Sequence, residues 1–282
     1  MQLILISGLS GSGKSVALRS LEDAGFFCVD NLPATMLPEA VALYHDYGYS
    51  HIAISVDTRS HQTLGALPQE MDKLRAAGID IRLIFFEAKQ PVLVKRFSET
   101  RRSHPLSGMG LSLEECIEME MELLAPVAEQ GIRMDTSELS ANTLKSWVRQ
   151  LVESDSSRLT LMFQSFGFKH GVPLDADFVF DVRCLPNPHY IPELRPLTGK
   201  DQAIIDYFAG EPKVAEMIAD IQTMLEKWLP EFRQENRSYL TVAIGCTGGQ
   251  HRSVFIAETL ARRFAHEQVL LRHRQLQRAG CD

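Results

Sequence analysis

The 282-residue sequence predicts a mixed α/β protein of two domains, residues 1–153 and a smaller unit over 159–282. Three observations predict it. Apolar runs of strand length alternate with amphipathic helical segments through the first half, the βαβ pattern of a parallel sheet covered on both faces. A polar stretch, ESDSSR at 153–158, reads as a linker. Beyond it come short strands, long proline-bearing loops and two helical segments that close as a second α/β unit.

In chain order, the first half offers strands over 3–7, 26–29, 52–56, 81–86 and 132–135. Helical patterns over 14–24, 37–47, 62–77 and 91–102 lie between them. Residues 113–129, rich in Glu and Met, read as an acidic helix with a solvated outer face, and 141–152 as a last helix before the linker. In the second half, strands are expected over 159–164, 178–182, 240–244 and 269–271, with a helix over 252–264.

Composition bounds the function. Hydrophobic residues make up 45% and charged residues 23%, the balance of a globular chain. A net charge of -7 argues against a wholly basic nucleic-acid coat. The start MQLILISG lacks a basic n-region and reads as a buried strand instead of a signal peptide. No stretch approaches the roughly 20 apolar residues of a membrane helix, so a cytoplasmic location without membrane association is expected. The cysteines, Cys28, Cys116, Cys184, Cys246 and Cys281, are odd in number and unpaired in spacing, which indicates reduced thiols and neither a disulfide framework nor a zinc site.

Gly8-Leu9-Ser10-Gly11-Ser12-Gly13-Lys14-Ser15 fits G-x-x-x-x-G-K-[ST] between a first strand and a helix, which makes the first domain P-loop NTPase-like. Its glycines let successive amides converge on a phosphate; Lys14 reaches the β and γ oxygens and Ser15 is placed to ligate Mg2+. Asp57 ends the apolar run HIAISVD, where a second metal-anchoring carboxylate is needed; a loop or cap acid is the alternative. Catalytic and metal roles therefore fall to Lys14, Ser15 and Asp57. Asp30 closes the second strand and suits a metal, a phosphoryl acceptor or a turn cap equally. Arg96, Arg101 and Arg102 suit either a basic lid over the phosphates or a solvated helix end.

A second strand-loop-helix follows at 245–253, GCTGGQHRS. Thr247, Gly248, Gly249, His251, Arg252 and Ser253 have the donors and backbone freedom of an anion site. Cys246 and Arg252 also carry the C-x5-R-S spacing of cysteine-dependent phosphatases, in which a thiolate attacks phosphorus. No general acid is identifiable beside it. Lys169, His170, Arg183 and His189 lie in polar loops of the same half and could line a sugar-phosphate pocket with that loop. The end of the chain is locally basic, with Arg262, Arg263, His266, Arg272, His273, Arg274 and Arg278, and suits an RNA backbone or a solvated terminus.

Taken together, GLSGSGKSVALRSLEDAGFFCVDNLP, SFGFKHGVPLDADFVFDVRCLPNPH, RPLTG and SYLTVAIGCTGGQHRSV resemble the RapZ/YvcJ family along essentially the whole chain. The resemblance implies an N-terminal domain that binds and slowly hydrolyses ATP or GTP with Mg2+. It further implies a C-terminal domain that binds a small regulatory RNA and presents it to an endoribonuclease, under control of glucosamine 6-phosphate. Residues 8–15 then match the ATP loop, and Asp57, Thr58, Arg59 and Ser60 the segment assigned to guanine nucleotide. The amino-sugar phosphate pocket maps to the second loop, with Lys169, His170, Arg183 and His189, and the RNA-binding end to His266, Arg272, His273, Arg274 and Arg278. A homo-oligomer, a tetramer, is implied as well. Two enzymatic alternatives stand beside this reading: a P-loop kinase of a small metabolite, and a phosphatase using Cys246.

Overall fold

The computed structural model describes residues 1–154, 158–235 and 237–276, with the side chains of 60–62 and 109 outside the description. The expected linker at 153–158 and Arg278 lie largely or wholly outside the described residues. The chain divides into two compact units, Met1–Glu153 and Ser154–Asp282.

The first unit runs β1 (Gln2–Gly8), α1 (Lys14–Glu22), β2 (Phe27–Val29), α2 (Leu37–Asp46), β3 (His51–Ser55), α3 (His61–Leu64), α4 (Leu67–Ala76), β4 (Asp80–Glu87), α5 (Gln90–Thr100), α6 (Leu113–Ala128), β5 (Ile132–Asp135) and α7 (Ala141–Glu153). Its five strands are parallel in the order β2-β3-β1-β4-β5. Leu3, Ile4, Leu5 and Ile6 of β1 are fully buried, as a central strand covered on both faces requires. The first loop therefore leaves from the middle of the sheet, at the strand ends where open α/β sheets bind ligands.

Two helices depart from expectation. The helix anticipated over 62–77 is broken into α3 and α4 around Gly65 and Pro68, a pair that disfavours continuation. The acidic helix α6 is solvated on one face only. Cys116, Ile117, Glu120, Leu124 and Val127 form a buried stripe at helical spacing, so the expectation that this helix is merely an outer face is corrected.

The second unit runs β6 (Thr160–Gly167), β7 (Phe178–Asp181), α8 (Gln202–Ala209), α9 (Pro212–Gln234), β8 (Tyr239–Cys246), α10 (Arg252–Arg263) and β9 (Gln268–His273). Its strands are also parallel, ordered β7-β8-β6-β9. The core joins Phe163 and Val242 of the central strands to Ile221 and Leu225 of α9 and Ile256 and Leu260 of α10. Strand β9 extends past the expected 269–271 and carries Arg272 and His273 into the sheet. Among the described residues no helix is long and apolar enough to cross a membrane.

Candidate functional site

The first loop is shaped by two glycines that nothing else could replace. At Gly8, φ is +133° and a Cβ would stand 2.0 Å from the Phe86 carbonyl oxygen, so the loop can slide over β4 only without a side chain. At Gly13, φ is +107° and this left-handed residue caps α1, aiming the helix N-terminus into the loop. Lys14 Nζ donates to the carbonyls of Gly8 (2.7 Å) and Leu9 (3.1 Å) and lies 4.0 Å from Asp57. Burial depresses the Lys14 pKa, and the charges of Glu120 and Asp57 oppose that without cancelling it.

Asp57 is 3% exposed and held by one neighbour. Arg59 donates to it from its amide (3.0 Å), from Nε (3.0 Å to each oxygen) and from Nη2 (2.8 Å), and Nη2 reaches Asp30 at 3.2 Å. Burial pushes the Asp57 carboxyl up, but the Arg59 hydrogen bonds and the Lys14 charge outweigh it and hold the pKa below the usual range. Ser15 is exposed at the start of α1. A hydroxyl and a carboxylate are the hard oxygen donors Mg2+ takes, its remaining positions going to phosphate and water, so Ser15 and Asp57 fit that ion without an all-protein cage. Among the described residues there is no cluster of three or more His, Cys, Asp or Glu of that kind.

The loop opens on a cleft of about 600 Å³, within the range of small-molecule sites. Ser10 to Val16, Asp30, Asp57, Arg59 and Arg102 are among its lining, together with the apolar Phe97, Pro105, Leu139 and Leu144. Of the three candidate lid arginines, Arg96 and Arg102 line the cleft. Arg96 is a brace: Nη1 donates to Gly11 O (3.0 Å) and Thr136 Oγ1 (3.1 Å), and Nη2 to Thr136 O (2.7 Å). Arg101 adopts φ +51° and ends α5. Of the two readings left open for these arginines, a basic lid or a solvated helix end, Arg96 follows neither, since its donors hold the loop.

Sequence reasoning passed over Glu120. It is wholly buried behind the loop, where it accepts from Ser10 N (2.7 Å), Ser10 Oγ (2.8 Å), Thr58 Oγ1 and His104 Nε2 (3.1 Å). The Leu106 amide donates to His104 Nδ1, which leaves the proton on Nε2, facing the carboxylate. Burial raises the Glu120 pKa; the His104 bond, the Lys14 charge and the Thr58 and Ser10 donors together bring it below the ordinary value.

In the second unit, β8 delivers Cys246 to the 246–251 loop and α10 follows at once. Gly245 sits against Phe166 and Phe168, where a Cβ would fall 2.4 Å from a Phe168 ring carbon. Cys246 is 3% exposed; its Sγ accepts from the Gly249 amide (3.2 Å) and lies 3.1 Å from Ser253 Oγ. Ser253 is fully buried, so it supports the thiol and is withdrawn from the set of ligand contacts. Arg252 is also corrected in role. Its Nη1 donates to the carbonyls of Arg183 (2.8 Å) and Leu185 (3.1 Å), and Nη2 to Thr247 Oγ1 (3.3 Å), which makes it a strut under the loop.

Around that strut the remaining candidates do gather. Arg183 forks onto Asp181 (2.6 Å at the shortest) and lies over the Phe168 ring at 4.1 Å. The amide of Lys169 donates to Thr247 O at 3.3 Å, and its Nζ is 4.0 Å from where a Gly248 Cβ would stand. The rings of His189 and His251 are 6.4 Å apart. His251 is 5% exposed, and its Nε2 meets no hydrogen-bond partner among the described residues. Burial lowers its pKa, opposed by the carbonyls of Arg195, Leu197 and Leu194. His170 lies in the adjoining 3-10 turn Phe168–His170.

Residues 1–156 match the family described as the RapZ-like N-terminal domain, and residues 159–277 the RapZ C-terminal domain. The chain belongs to the RapZ family. A nucleotide-binding protein of Chromobacterium violaceum is 71% identical over 278 residues, covering 99% of each chain. A nucleotide-binding protein of Thiobacillus denitrificans is 57% identical over 277 residues, covering 98% of this chain and all of that one (100%). Among solved structures, a sugar kinase from Janibacter is 16% identical with a TM-score of 0.40, over 54% of this chain and 95% of that one. Shikimate kinase from Bacteroides thetaiotaomicron is 16% identical with a TM-score of 0.37, over 54% and 96%.

For this RapZ-family chain the basic end is the largest revision. Arg272, His273 and Arg274 are 1%, 8% and 4% exposed, so they do not present charge outward as expected of RNA contacts. The cause is β9: once 268–273 joins β6, Arg272 sits near Asp175, His273 meets Ser165 Oγ (2.8 Å) and Glu258 (3.2 Å), and Arg274 lies 3.6 Å from Asp175. His266 remains exposed, with Arg262 and Arg263 in the last turn of α10.

Proposed function

We propose that this protein is a regulator of the RapZ type: an RNase adapter that binds a small regulatory RNA and presents it to an endoribonuclease, under control of glucosamine 6-phosphate. One observation carries the reading. Each unit has a strand-loop-helix at the carboxyl end of a strand of its own parallel sheet, which supports one site for a nucleotide and another for a smaller phosphorylated ligand.

The first site supports a nucleoside di- or triphosphate. Its loop and Lys14 take the phosphates, Ser15 and Asp57 hold Mg2+, and the apolar part of the cleft lining accepts a base. Mg2+ supplies charge neutralisation of the phosphate oxygens when bound. Arg59 covers both Asp57 oxygens and so favours slow hydrolysis at most. The segment 57–60 lies beside Lys14, at the phosphate end; ATP and GTP both suit the cleft. The second site supports a sugar phosphate through Lys169, Thr247, Gly248, His189 and the free Nε2 of His251. Among the described residues of the basic end, exposed Arg262, Arg263 and His266 remain for an RNA backbone, and an oligomer would add several such weak patches into one avid surface.

A metabolite kinase is the second reading, favoured by Asp30 in the lining of the cleft. A phosphatase has less support, since the Cys246 thiol is enclosed and Arg252 is committed to carbonyls. The test is a pair of titrations on the intact protein, one with ADP and Mg2+ and one with glucosamine 6-phosphate. Lys14→Ala is expected to abolish only the first and His251→Ala to weaken only the second. Transfer of labelled γ-phosphate to an added sugar would favour the kinase instead.

A further inference from the structure

The carboxylate of Glu120 does not line the cleft, yet every donor it meets belongs to a segment that does, or is next to one that does. Ser10 is in the phosphate loop. Thr58 follows Asp57 in the chain and precedes Arg59, and both flanking residues line the cleft. His104 stands between Ser103 and Pro105, which line the cleft, as Arg102 does. Burying a carboxylate costs several kcal/mol unless it is fully compensated, and this one is met by four donors, two on each oxygen. Removing it would leave the Ser10 amide, the Ser10 and Thr58 hydroxyls and His104 Nε2 without their common acceptor. The charge also reaches forward, because Glu120 is the largest favourable charge acting on Lys14.

We infer that Glu120 is a positioning residue of the nucleotide cleft, tying the phosphate loop, the Asp57–Arg59 segment and the 102–105 wall to one buried carboxylate that never touches the ligand. The inference rests on the nucleotide reading of this cleft. It assigns to α6 a part in phosphate binding that its acidic sequence conceals. Altering Glu120 releases all three walls at once, so phosphate affinity falls although every residue that contacts the ligand remains.

The test is the dissociation constant for a fluorescent ADP analogue with Mg2+, on the intact protein, at a temperature where circular dichroism shows each variant folded. Glu120→Ala is expected to weaken binding at least about tenfold. Ser10→Ala should weaken it by a smaller factor in the wild type and by nothing further in the Glu120→Ala background, since its bond is already lost. A purely structural carboxylate would lower the melting temperature and leave the folded protein's affinity unchanged; that result overturns the inference. If Glu120→Ala does not fold, Ser10→Ala and Thr58→Val keep the carboxylate and each removes one donor, and wild-type affinity in both overturns it equally. Wild-type protein that binds no ADP would instead bring down the nucleotide reading.

Discussion

Replacing Arg272 by alanine separates a structural arginine from one that contacts RNA. Arg272 is 1% exposed on β9, with Asp175 the largest charge favouring its protonated form. Burial lowers its pKa to about 10, still well above neutrality, so the guanidinium stays charged in the interior and depends on its surroundings for compensation. Removing one partner of a buried ionic cluster costs about 3–5 kcal/mol. Asp175 would then rely on Arg274 at 3.6 Å and Gln164 at 3.2 Å. At roughly 3–5 °C per kcal/mol for a unit of this size, the melting transition of the second unit should fall by about 10–20 °C. Exposed Arg263→Ala should leave melting within about 2 °C and reduce the slope of log affinity for RNA against log salt by up to about 1. Thermal melts followed by RNA binding over a salt series read both. If Arg272→Ala melts with the wild type and flattens the salt slope, the buried assignment is wrong.

Three further outcomes follow from the same geometry. Arg59→Ala frees both Asp57 oxygens, so the Mg2+ concentration that half-saturates nucleotide binding should fall several-fold by magnesium titration; an unchanged or higher midpoint contradicts the Arg59 cover. Burial lowers the folded pKa of His273 below 6.5, which means the unfolded chain takes up its proton first as pH falls. The neutral histidine therefore contributes stability above about pH 6.5 that is lost as pH drops through the folded value, and melting at pH 5.5 should lie below that at 7.5, less so in His273→Gln. Gly8→Ala forces a Cβ to 2.0 Å from the Phe86 carbonyl in a left-handed conformation, and should cost several kcal/mol in chemical denaturation while abolishing nucleotide binding.

The parts of this molecule that could be read in sequence were those fixed by local chain chemistry. Gly8 to Ser15 announce a loop because glycine alone tolerates the backbone there, and the apolar run 3–6 announces a strand buried on both faces. Glu120 escaped because acidic composition was taken as exposure. The signal was present in the spacing of Cys116, Ile117, Leu124 and Val127, which puts position 120 on the inner stripe. Arg272 and His273 were counted as a basic tail, although they directly continue Val269, Leu270 and Leu271 and so extend the strand. The Arg59 fork is a local Asp-x-Arg pattern at a strand end, repeated with near-identical geometry by Asp181 and Arg183. What no local pattern carries is the three-segment meeting at Glu120, because Ser10, Thr58 and His104 come together only through the sheet order.

Control of RNA binding by a sugar phosphate at the second loop can be tested by one titration. RNA binding by the intact protein is measured against rising glucosamine 6-phosphate, in the wild type and in His251→Ala. The metabolite should displace RNA from the wild type, and the variant should need a clearly higher concentration. RNA binding unaffected by saturating metabolite would contradict that control.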